Sequence, residues 1–124
     1  MKGGKAEEPQ DLKERTKAFA LRIIRFYAAL PKTTEAQVLG KQVLRSGTSV
    51  GAHYREGQRA HSNADFISKI EAACRNWRRL PIGLSCFDST IVAQERLMPL
   101  QDETEELTAI FVTMVKKVKS KGKP

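Results

Sequence analysis

Long apolar runs are missing from this chain, and their absence removes the first class of function. No stretch approaches the roughly 20 apolar residues of a membrane span. The charged start MKGGKAEEPQD has no apolar signal region behind it, so a cytoplasmic protein without membrane contact is expected. Cysteine is scarce as well: Cys74 and Cys86 are too few for a disulfide framework or a zinc site. Aromatic residues are only 6% of the chain and fall mainly on core stripes, leaving no stacked platform of the kind single-strand binders use.

The machinery of catalysis is equally thin. His53 and His61 are the chain's 2 histidines. Their spacing puts them about 12 Å apart along a helix, too far to share a metal. Glu56 beside His53 makes a surface hydrogen bond a better reading than a general base. Glu56-Gly57-Gln58-Arg59 does not supply the Glu-x-x-His pair of a bundle di-iron site. Ser46 and Ser49 have no histidine at triad-like spacing and would bond back to the preceding helical turn. GTSVG lacks the lysine and the strand context of a phosphate loop. No enzymatic activity, cofactor or metal is expected.

Basic residues are abundant. The chain has 124 residues and a net charge of +8, enough length for one domain with a real core over residues 1–124, flanked by flexible tails at 1–10 and 117–124. Lys and Arg outnumber Asp and Glu ten to four over residues 11–59. Over residues 93–115, Arg96 stands against Glu95, Asp102, Glu103, Glu105 and Glu106. The tail KKVKSKGKP is basic again. Three readings fit this segregation: a solvated surface, a polyanion-binding face, or complementary faces that meet in an oligomer.

Helical periodicity dominates the order of residues. Leu12, Thr16, Phe19, Ile23, Phe26 and Leu30 recur at steps of four and three up to Pro31. Ser62 offers an N-cap with Asp65 three residues on, followed by Phe66, Ile67, Ile70, Cys74 and Trp77. Leu107, Phe111, Met114 and Val118 form another stripe; Glu103, Glu105 and Glu106 would open that helix and Lys116, Lys117 and Lys119 close it, in accord with the helix dipole. The remaining helix, roughly residues 34–60, contains LRSGTSVGAHYREG. Its glycines cost about 1 kcal/mol each against alanine. They make sense if Gly47 and Gly51 lie buried against another helix, in a stripe with Gly40, Leu44 and Tyr54. A further stripe of the same helix, Lys41, Arg45, Thr48, Ala52, Arg55 and Arg59, is basic at both ends with small residues between. The pattern predicts an all-α, antiparallel up-down four-helix bundle.

RSGTSVGAHYREGQRAHSNADFISKI resembles the signature of the bacterial four-helix-bundle proteins named for 23S ribosomal RNA intervening sequences. Those are related to the accessory variability protein of diversity-generating retroelements. The likeness rests on Arg45-Ser46, Ser49-Val50, Tyr54 with Glu56, Arg59, Ser62 and Asp65-Phe66, and on EELTAIFVTMVKKVK. It implies an antiparallel bundle assembling into a homopentameric ring, no established enzymatic activity, and, in the retroelement relatives, binding to nucleic acid and a reverse transcriptase.

Two departures stand out. His53 occupies a place where the family usually carries Asn. CRNWRRLPIGLSCF replaces a helical run of the type ExxETxYWLxLL, with Pro81 and Gly83 as breakers and arginines in place of glutamates. Codons for these residues, read in a shifted frame, permit Gln-Glu-Leu-Glu-Thr-Ala-Ser-Tyr-Trp-Leu-Glu-Leu-Leu, so a pair of compensating frameshifts is one reading of residues 74–87. A genuine divergent segment is the other; the third helix should then end or kink near Leu80 beside a weakened core. The codons of the gene decide between them.

Two functions stay open. One is a nucleic-acid-binding oligomer, its candidate contacts Arg15, Arg22 and Arg25 on the first helix and Lys41, Arg45, Arg55 and Arg59 on the second. The other is a scaffold for a partner enzyme that touches no nucleic acid. Gly47, Ser49, Gly51, Tyr54 and Glu56 are the candidates for helix packing or a subunit interface. Burial and pairing of Arg45 and Glu56 would favour structure over a phosphate clamp.

Overall fold

The computed structural model describes residues 9–87 and 91–121, with side chains from Leu12 onward. Four helices follow one another: α1 (Pro9–Ala28), α2 (Thr34–Gln58), α3 (Asn63–Ser85) and α4 (Gln94–Lys121). No strand occurs among the described residues. All six residues of the first-helix stripe, Leu12 to Leu30, are buried. Thr16 belongs there because its hydroxyl donates to the Leu12 carbonyl at 2.8 Å, so it brings no unpaired polar atom into the core. Pro31, which has no N–H, follows the last turn of α1, closed by Leu30 N–H donating to the Tyr27 carbonyl at 3.1 Å. Thr33 caps α2 by accepting from Ala36 N–H at 3.3 Å. Ser62 caps α3 as its sequence position predicts, accepting from Asp65 N–H at 3.1 Å.

The glycines of α2 are places where another helix comes close. A Cβ on Gly40 would lie 2.5 Å from Leu30 Cδ1, one on Gly47 2.8 Å from Ile23 Cγ1, and one on Gly51 3.3 Å from Thr16 Oγ1. Successive positions up α2 therefore meet successive positions down α1. The opposite side of α2 is just as tight: a Cβ on Gly57 would lie 3.0 Å from Ile70 Cδ1, and one on Gly83 of α3 would lie 3.0 Å from Val43 Cγ2. The second helix is central, contacted from two sides, which is why small residues suit it.

Each helix sends one aromatic side chain into the middle of the bundle. Phe19 of α1 stacks on Trp77 of α3 with ring centroids 5.1 Å apart. Trp77 lies 6.2 Å from Phe111 of α4, and Phe111 5.7 Å from Tyr54 of α2. Phe26 and Phe87 meet edge to face at 5.2 Å in a further layer.

Three expectations need correction. The third helix does not end near Leu80; it runs through Pro81 and Gly83 to Ser85. Proline forfeits one backbone hydrogen bond at a cost of about 3 kcal/mol. Against that, Leu80, Leu84 and Phe87 continue the spacing of three and four and are fully buried, each side chain contributing about 1.5–3 kcal/mol. The residues as they stand thus add to the core where a weakened one was expected. Second, α4 starts at Gln94 and passes Pro99, so Glu103, Glu105 and Glu106 sit in its interior and only Glu95 occupies the first turn. The dipole argument does not apply to that acidic block. Third, residues 117–121, read as part of a flexible tail, belong to α4; residues 1–8 and 122–124 lie outside the described residues.

Candidate nucleic-acid interface

The outer side of α2 carries the basic stripe as its spacing predicts. Lys41, Arg45, Arg55 and Arg59 are exposed, as is Ala52, with Thr48 half-buried between them. None of the four cations has an acidic partner among the described residues. Thr48 turns its hydroxyl inward to the Leu44 carbonyl at 2.7 Å. The middle of the stripe therefore offers a low surface with no charge.

The first-helix candidates divide. Arg15 is held by acids of α4: its Nε and Nη2 donate to the two carboxylate oxygens of Glu103 at 2.8 and 2.9 Å, and Nη2 also reaches Glu106 Oε1 at 2.6 Å. A forked guanidinium–carboxylate pair of this kind fixes geometry as well as charge. Charges segregated along the sequence are in part complementary within one chain, across the α1–α4 seam. Arg22 is half-buried, and Arg25 is exposed. The α1–α4 pairing is the thinnest in the molecule, so the fork carries more of that seam than an average surface ion pair. Arg15→Ala is expected to lower stability by about 1–2 kcal/mol, read by urea denaturation at low salt. At about 1 M salt the loss should shrink, because the pair is only partly shielded from solvent.

The interface candidates also separate. Gly47, Gly51 and Tyr54 are buried. The Tyr54 phenol accepts from Gln58 Nε2 at 3.2 Å, and burial raises its pKa. Ser49 is half-buried and donates to the Ser46 carbonyl at 3.2 Å. Glu56 is exposed and packs against nothing inside the bundle; its carboxylate lies 3.5 Å from His53 Nδ1. With Arg45 and Glu56 both exposed, the condition set for abandoning a phosphate clamp is not met. His53 makes an inter-helix polar contact, 3.1 Å from the Asn76 amide of α3.

Some basic residues escaped the sequence reading. Lys13 and Lys17 of α1 line an open groove together with Arg55 of α2, and Arg75, Arg78 and Arg79 are exposed on α3. Lys13 and Lys17 could have been found from the pairing of α1 with α2, since neither lies on the apolar stripe. The arginines of α3 were visible only as intruders in an unfamiliar segment. Among the described residues, no three His, Cys, Asp or Glu side chains gather to hold a metal. Burial pushes the Cys74 thiol above its ordinary value, with Arg78 opposing and Glu71 adding, so it is no activated nucleophile. No described helix is long and apolar enough to cross a membrane.

Comparison with known proteins agrees with this architecture. The family model described as 23S rRNA-intervening sequence protein matches residues 8–113. A crystal structure of a protein of unknown function from the S23 ribosomal protein family of Bacteroides thetaiotaomicron superposes with a TM-score of 0.79 at 30% identity, covering 87% of this chain and 97% of that one. Among curated proteins, none matches the chain.

Proposed function

Because the chain belongs to the 23S rRNA-intervening sequence protein family, we propose that it is a non-enzymatic accessory protein that binds the phosphate backbone of RNA or DNA. The up-down bundle is antiparallel and assembles into a homopentameric ring, and a partner enzyme such as a reverse transcriptase docks on that ring in the cytoplasm. The observation that carries the nucleic-acid reading is the outer stripe of α2, where Lys41, Arg45, Arg55 and Arg59 stay exposed without acidic partners among the described residues, while Arg15 is neutralised. Unpaired cations on one helix face attract a polyanion without reading its sequence. For the ring, exposed Asp102 and Glu105 on α4 remain as complements to the basic face of a neighbouring copy.

The test is binding as a function of salt. Each phosphate contact contributes about −0.9 to the slope of log affinity against log salt on duplex DNA. The parent is compared with an Arg55/Arg59 double alanine and with a variant whose Lys116, Lys117 and Lys121 are changed to Gln. A flatter slope in the double alanine is expected. If only the lysine variant loses binding, the α2 stripe is a solvated or interface surface and the scaffold function replaces this one. Light scattering at micromolar concentration that finds a stable monomer removes the ring.

A further inference from the structure

Resting on that reading, we propose that the α1–α2 face grips a double helix by the two banks of one groove and is not a track for a single strand. The argument starts from the gap in the stripe. Lys41 and Arg45 form one cluster, and Arg55 and Arg59 form another. Between Arg45 and Arg55 the exposed side of α2 carries only Thr48 and Ala52, neither of them charged. Ten residues at about 1.5 Å each separate the inner cations by about 15 Å. The major groove of a B-form duplex is about 12 Å wide, so the two clusters can each reach phosphates on opposite banks.

The parts around the stripe fit the same ligand. Lys13 and Lys17 flank Arg55 in the groove between α1 and α2, thickening one cluster, and Glu14 is the single acid lining it among the described residues. The small Ala52 and the inward-turned Thr48 leave the middle of the face low, so nothing holds the two backbones away from the cations. A single strand asks for something else: an unbroken row of cations, with aromatic rings for the unpaired bases. This face has no unbroken row of cations, and Tyr27, half-buried at the α1–α2 seam, has its hydroxyl engaged in donating to Gln37 Oε1 at 3.1 Å. Phe19, Tyr54, Trp77 and Phe111 are all buried in the core.

The experiment uses the full chain with a 20-base-pair DNA duplex and, separately, one strand of that duplex. The parent should bind the duplex at least about tenfold more tightly than the strand at equal phosphate concentration. Lys41/Arg45 and Arg55/Arg59 double alanines should each flatten the duplex salt slope by about two contacts' worth, near 1.8, with thermal midpoints unchanged. Equal affinity for the single strand overturns the inference while leaving backbone binding in place. So does a slope carried wholly by one cluster. Failure to bind either probe overturns both this inference and the nucleic-acid function it rests on.

Discussion

Trp77→Ala is expected to cost about 3–5 kcal/mol, the largest loss of any single change in this chain. Trp77 is 2% exposed and touches Phe19 at 5.1 Å and Phe111 at 6.2 Å, so it links three of the four helices. Small domains hold together by only about 5–15 kcal/mol in total, so the variant should be unfolded or nearly so at physiological temperature. Trp77→Phe separates packing from polarity. The indole Nε1 is buried and finds no acceptor among the described residues, and an unmade hydrogen bond of this kind costs about 1–3 kcal/mol. Phenylalanine loses volume and aromatic contact but removes that orphaned donor, so its loss should stay below about 2 kcal/mol. Urea denaturation followed by circular dichroism reads both variants. An alanine variant as stable as the parent would show that the aromatic layer is not the centre of the core.

Gly47→Leu is the second large effect, about 2–3 kcal/mol from overpacking. The first added carbon alone would lie 2.8 Å from Ile23 Cγ1 and 3.3 Å from Ile23 Cβ. Ile23 is β-branched and fully buried, so neither rotation nor displacement makes room cheaply. Gly51 is the instructive contrast. Its added carbon meets Thr16 Oγ1 at 3.3 Å and Thr16 Cβ at 3.6 Å, close to ordinary contact. There the helix propensity gained by alanine, up to about 1 kcal/mol, offsets a small crowding. Gly51→Ala should therefore fall within about 0.5 kcal/mol of the parent, and Gly51→Leu should lose more than about 1 kcal/mol. Equal penalties for alanine at both positions would mean that the approach of α1 to α2 is uniform, contrary to these distances.

The first helix was legible almost entirely, because five apolar residues and Thr16 at steps of three and four allow one buried face and Pro31 allows one end. The glycine stripe was legible as close packing, though not which glycine is tightest; that depends on whether Leu30, Ile23 or Thr16 lies opposite, a matter of register between helices. The third helix misled because Pro81 and Gly83 were weighed as local breakers. Their cost is local and real, but Leu80, Leu84 and Phe87 gain their compensation from burial in the core, Phe87 against Phe26 of α1, and no window of sequence contains such a contact. The acidic block of α4 misled for a related reason: its distance from the helix start depended on residues 94–102, whose helical state Pro99 obscured.

For the candidate site, the sequence by itself determined the basic stripe of α2, since a helix with known spacing puts Lys41, Arg45, Arg55 and Arg59 on one side whatever surrounds it. It also led to the expectation of no catalytic or metal-binding constellation, from the spacing of His53, His61, Ser46 and Ser49. Only the tertiary structure decided which cations are available. Arg15, Arg45 and Arg55 look alike along the chain, yet the packing of α1 beside α4 brings Glu103 and Glu106 onto Arg15 and leaves the other two in solvent. Electrostatic pairing depends on distance through space, and a sequence separation of 88 between Arg15 and Glu103 carries no record of a 2.8 Å contact.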